Sequence, residues 1–374
     1  MKNRVVGTIL FAALLFVLPA AAAQTASLPQ ETIAKIEALI ESEQSQQKIP
    51  GLSVAVAVDG QLRYTKGFGM ADLENPAPAK ATTRFRTASI AKPMTAVAVM
   101  QLAEQGKLDL DAPVQKYCPA FPQKQWPVTS RELLGHLGGV RHYNKPGEAE
   151  GTEHFFTVPE SLKVFKDDPL LHEPGTKYLY STFGFVLLGC VAEGAAGEPY
   201  AAYMQEHVWG PAGMISTRTD DQFQIIPERS RWYSFLNERA YQRLPEPAKA
   251  QMHPNEVYNA DLHDTSMKIP GGGVLSTSAD LVRFALAMLD ARLVKPATRD
   301  AMWTRQKTSD SKEITYGLGF VVNHMNKVPI VSHSGGQAGA ACLLVIVPEK
   351  KVAVAVMTNM DGGALNRIVI QVGS

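Results

Sequence analysis

At 374 residues, with 45% hydrophobic and 20% charged composition, the chain is long enough for one large domain or two lobes and buries a full core. Its 37 basic and 36 acidic residues leave a formal net charge of +1. With no basic run and no aromatic-plus-basic cluster, that balance argues against a nucleic-acid partner and for a small-molecule or peptide one. The chain opens with Lys2 and Arg4, an apolar run from Val5 to Leu18, Pro19 and a small-residue Ala21-x-Ala23 site. This pattern predicts a signal peptide over 1–23 and an exported product, periplasmic or secreted in a bacterium, with no stable membrane span after cleavage. Ile33, Ile36, Leu39 and Ile40 then predict a one-sided helix over 31–47. The run LSVAVAV, the pair Asp59-Gly60 and the returning QLRYTKGFGM read as a tight β-hairpin.

The segment from Thr87 to Gly106 follows, with Ile90, Ala91, Met94, Val97, Ala98 and Leu102 at helical spacing and Gly106 as its stop. Proline is tolerated only near a helix start, so Pro93 places that start close to Ser89. Lys92 then lies one turn on from the Ser89 hydroxyl, on the same face and among apolar neighbours. A serine becomes a nucleophile when a base sits beside it, and a lysine serves as that base when burial depresses its pKa. Ser-x-x-Lys also occurs at Ser45–Lys48 and Ser309–Lys312, but among Gln, Asp, Glu and Lys, where the amine keeps its ordinary pKa.

Helices are predicted in the middle of the chain from Arg131, Phe183, Glu198 and Ala279, the last behind a Thr277–Asp280 capping signal. Between them, 141–177 and 215–268 are long polar stretches of the kind that shape a site. Near the end, TYGLGFVV, PIVSHSGG, AACLLVIVP and VAVAVMTN read as strands. Strands at both ends around a helical middle predict an α+β fold. One antiparallel sheet flanked by helices would form a lobe of about 24–110 and 271–374, with an inserted, mostly helical lobe of about 111–270 and the site between them. Cys118, Cys190 and Cys342 lack any Cys-x-x-Cys spacing, Cys190 and Cys342 sit in apolar runs, and no disulfide framework is expected. His136, His142 and His172 are scattered without ligand spacing, and no metal or cofactor is expected.

Two further motifs carry chemistry. Tyr180 precedes the apolar helix that starts at Phe183, where a helix dipole and a nearby lysine would lower a phenol's pKa and suit it to shuttling a proton. The strand Val331-Ser332-His333-Ser334-Gly335-Gly336 ends in glycines that let backbone approach a ligand and share an oxyanion with Ser89.

Taken in order, Ser-x-x-Lys, Tyr-Ser-Thr and His-Ser-Gly-Gly resemble the serine hydrolase family of class C β-lactamases and penicillin-binding carboxypeptidases, from about residue 30 to about 370. The resemblance implies a β-lactamase/transpeptidase-like fold. It also implies Ser89 as the acylated nucleophile, Lys92 as its activator and Tyr180 as general acid/base, with backbone N–H groups of Ser89 and Gly336 as oxyanion donors. His333 and Ser334 with Gly335 match the substrate-facing strand. Thr182 stands where the family's Tyr-x-Asn has its amide, and His333 replaces the lysine of Lys-Thr-Gly. Both changes point away from strong β-lactam hydrolysis and towards a peptidase or esterase. A β-lactamase or D-Ala-D-Ala carboxypeptidase is the alternative, and self-association is compatible with either. From a different class stands a catalytically quiet binding or filament-forming module.

Overall fold

The computed structural model describes residues 27–145, 147–325 and 327–372. The segment 1–23, read above as a signal peptide, lies outside the described residues. No helix among the described residues is long and apolar enough to cross a membrane.

In chain order the strands are β1 (Gly51–Val58), β2 (Gln61–Asp72), β3 (Ala77–Pro78), β4 (Phe85–Arg86), β5 (Arg218–Thr219), β6 (Tyr233–Leu236), β7 (Glu256–Asn259), β8 (Val274–Ser276), β9 (Val321–Met325), β10 (Val328–Gln337), β11 (Ala340–Val347) and β12 (Val352–Thr358). Seven of them form one antiparallel sheet in the order β3-β2-β1-β12-β11-β10-β9, so the two ends of the chain meet where β1 pairs with β12. Asp59 and Gly60, both at positive φ, make the two-residue turn between β1 and β2.

The central strands are apolar without interruption because both faces of the sheet are covered. Successive side chains of a strand point to opposite faces. On β1, Leu52, Val54 and Val56 face the terminal helices Gln30–Gln47 and Asn366–Val372, while Ala55 and Ala57 face the main core. β12 repeats the division, with Val354 and Val356 on the first face and Ala353, Ala355 and Met357 on the other. Small residues on the core face let the helix Ser278–Leu289 lie close to β1 and β12. The Thr277 hydroxyl caps that helix by accepting from the Asp280 N–H.

Two expectations fail in detail. TYGLGFVV is a strand only from Val321. Ahead of it the chain threads a narrow gap, where a Cβ on Gly317 would lie 2.1 Å from the Met302 carbonyl oxygen and one on Gly319, at φ +87, would lie 2.3 Å from the Ala96 Cβ. The second correction concerns the cysteines. Cys118 and Cys190 form a disulfide across 72 residues of sequence, and only Cys342 is free and buried. Their partnership is a product of packing, since the helix Thr182–Ala196 carries Cys190 to the turn that follows Val114–Lys116.

Candidate active site

The serine lies in a single turn of 3-10 helix, Ala88–Ile90, that runs directly into the α-helix Ala91–Glu104 with Pro93 in its first turn. Ala88 holds a positive φ of 44°, a conformation costing on the order of 1 kcal/mol outside glycine. The turn is held from several sides. Thr87 bonds the Val274 carbonyl through both its N–H and its hydroxyl, and its own carbonyl accepts from the Cys342 thiol. Gly335 on β10 sits directly behind, where a Cβ would come within 2.3 Å of the Thr87 oxygen. The first glycine of the pair is therefore needed for close approach of strand to serine turn.

Lys92 is fully buried, and its Nζ lies 2.9 Å from Ser89 Oγ, 3.1 Å from Thr182 Oγ1 and 2.7 Å from the Gly271 carbonyl oxygen. A neutral amine has two N–H donors and one lone pair. The carbonyl and the Thr182 oxygen take the two donors, and the lone pair is left for the serine hydroxyl. Burial, reinforced by the charge of Lys268, holds the Lys92 pKa well below its ordinary value. Among the described residues no carboxylate stands against that shift. Thr182 thus keeps one half of the role expected of an amide at this position, the bond to lysine.

Tyr180 packs with its ring centroid 4.9 Å from the Lys92 Nζ, and its side chain is hydrogen-bonded with Ser89. The expected downward shift of its pKa is reversed. Burial pushes it up, outweighing the bond to Ser89. The phenol stays protonated and is a donor. Around it stand His136 and His142, with ring centroids 4.3 and 5.6 Å away. Their Nδ1 atoms accept from the N–H groups of Ser181 and Thr182 at the start of the helix Thr182–Ala196. Burial keeps both imidazoles neutral, His142 at about 4.

On the strand side, β9 pairs with β10 only as far as Ser332, which leaves the rest of that edge open towards the serine turn. Gly336 lines the cavity, and a Cβ there would meet nothing within 4 Å. The other strand residues lie elsewhere. His333 is buried behind Tyr180, its Nε2 2.9 Å from the Tyr316 hydroxyl, and burial with the nearby Lys92 lowers its pKa to about 3. Ser334 is exposed, and neither it nor His333 is among the cavity's lining residues.

The cavity itself measures about 240 Å³. Ala88, Ser89, Tyr180 and Thr182 form its serine wall; a second, loop-built one, not foreseen from sequence, holds His142, Tyr143, Glu150 and Lys268. The first polar stretch is tied down by Arg141, whose guanidinium bonds Asp168 at 2.6 Å and Glu148 at 2.8 Å while its carbonyl accepts from Ser181. The second ends at Lys268 and the Gly271-Gly272-Gly273 run, where a Cβ on Gly271 would clash with Thr182 at 2.7 Å. The only sequence sign of this wall was the length of the two polar stretches.

An antiparallel sheet packed with helices, and a helix-start serine one turn from a fully buried lysine, define a β-lactamase/transpeptidase-like serine hydrolase. The family described as Beta-lactamase matches residues 36–369, and the chain belongs to it. It is 30% identical to the mitochondrial serine beta-lactamase-like protein LACTB of Homo sapiens, over 86% of this chain and 76% of that one. Penicillin-binding protein 4* of Bacillus subtilis is 28% identical over 83% of this chain and 68% of its own length. Among solved structures, the octameric penicillin-binding protein homologue from Pyrococcus abyssi superposes with a TM-score of 0.73 at 25% identity, covering 91% of this chain and 78% of that one.

Proposed function

We propose that this hydrolase transfers an acyl group from an ester, amide or peptide to water through an acyl-Ser89 intermediate. The observation that carries the reading is the 2.9 Å contact between Ser89 Oγ and the fully buried, depressed-pKa amine of Lys92. The Lys92 lone pair takes the Ser89 proton as Oγ bonds to the substrate carbonyl carbon. The N–H groups of Ser89 and Gly336 hold the resulting oxyanion. Tyr180, kept protonated by burial, gives its proton to the leaving group and recovers one from Lys92. Water then repeats the sequence on the acyl-enzyme, returning Ser89 and releasing the acid.

Export is part of the proposal, supported by the basic-then-apolar start of the chain and by the Cys118–Cys190 disulfide, which suits an oxidising compartment. Self-association is proposed as well, with the octameric homologue as its support.

Intact mass spectrometry with 4-nitrophenyl butyrate and benzylpenicillin tests nucleophile and substrate class together. A butyryl adduct on Ser89 that turns over, absent in Ser89→Ala, is expected. Faster turnover of the lactam than of the ester would move the assignment to a β-lactamase. No adduct from either would favour the catalytically quiet module.

A further inference from the structure

The loop wall holds a second buried lysine for which the acyl-transfer scheme has no task. Lys268 is 3% exposed yet lines the cavity. Its Nζ donates to the Ala149 carbonyl at 2.9 Å, and no carboxylate among the described residues is ion-paired with it. An ammonium carries three donors, and a buried one without an anionic partner is costly. Gln337, next to Gly336, adds a second unspent donor to the cavity, since its Nε2 is buried without a partner. The strand position from which the family's lysine would reach a substrate is occupied here by His333, which is turned to Tyr316.

We propose that Lys268, with Gln337 as a second donor, selects acyl substrates bearing a carboxylate, which pairs with the ammonium while Ser89 attacks the ester or amide carbonyl. The inference rests on the acyl-Ser89 reading. A cavity of about 240 Å³ has room for a short dicarboxylic acyl group. The charged groups facing Lys268 are Arg86, which opposes its charge, and Glu150 and Asp220, which favour it; Lys92 has its own pKa depressed by Lys268, and His142 and His263 beside it are neutral. Burial and Arg86 bring its pKa down to about 8, so it is charged at neutral pH and loses its proton as pH rises through that value.

The test compares 4-nitrophenyl butyrate with 4-nitrophenyl hemiglutarate, on the full chain, between about pH 6.5 and about pH 9. The wild type is expected to favour the anionic ester roughly tenfold in kcat/KM below pH 8 and to lose that preference above it. Lys268→Met should remove the preference. Lys268→Arg should retain it and carry it to higher pH, because a guanidinium does not titrate there. Turnover of the butyrate with no preference at any pH, or a preference unchanged in Lys268→Met, overturns this inference alone. Turnover of neither ester, with no Ser89 adduct, overturns the acyl-Ser89 reading and this inference with it.

Discussion

Two lysines serve one cavity, Lys268 lining it and Lys92 set behind the Ser89 hydroxyl, both almost wholly buried, and they meet different fates. Lys92 stands on a helix with a carbonyl, a threonine hydroxyl and a serine hydroxyl around its Nζ, a set that a neutral amine satisfies completely. Lys268 ends a loop, bonds one carbonyl and feels Glu150 and Asp220, and its pKa is brought down only to about 8. Burial disfavours charge at both sites, but the neighbours decide whether the proton stays. One wall is thereby suited to removing a proton, the other to holding an anion.

The comparison breaks most visibly at the serine wall. Ser89→Ala is expected to lower kcat by about 10⁴-fold, and Lys92→Met by about 10³-fold, with the fold intact by circular dichroism. A Lys92→Met variant within tenfold of wild type would show that the amine is not the base. The same wall is tied at its far end by the disulfide. Replacing Cys118 and Cys190 by serine should cost about 4 kcal/mol in denaturant unfolding, from the 72-residue loop it closes.

The loop wall is expected to break through its ion pairs. Arg141→Met leaves Glu148 buried without its partner and should destabilise the protein by about 3 kcal/mol while raising KM, since the segment it anchors carries His142. A loss of stability with KM unchanged would separate this loop from substrate binding. The pH dependence of stability sharpens the contrast further. His136, His142 and His333 have folded pKa values below the ordinary 6.5. As pH falls through about 6.5 the unfolded chain binds protons that the folded one refuses, so Tm should hold above that value and decline down to about 3 to 4. A Tm flat from pH 7 to pH 4 would contradict the burial of these rings. The smallest effect expected is about tenfold in kcat for Thr182→Val, which removes one of three Lys92 partners.

Much of the fold was legible because its signals are local. The hairpin at Asp59-Gly60, the helix behind Thr277 and the apolar strands at both ends each follow from backbone and periodicity, and the serine and its lysine sit within one helical turn. The misreadings share another cause. At Tyr180 the sequence points to the wrong direction of pKa shift because a dipole is visible in sequence while the depth of burial is not. The strand motif points His333 towards substrate, but Tyr316, 17 residues earlier, is what holds its ring. The disulfide and the Lys268 wall join segments separated by long polar stretches, whose path no periodicity records.

By itself the sequence determined which segments at the chain's two ends are strands and the chemistry offered by Ser89 and Lys92, because those depend on neighbours two to four residues away. Tertiary structure alone decided which groups are kept from water. Charge state follows from that, since the energy of an ionised side chain is set by every dipole and charge around it in space, irrespective of their distance along the chain.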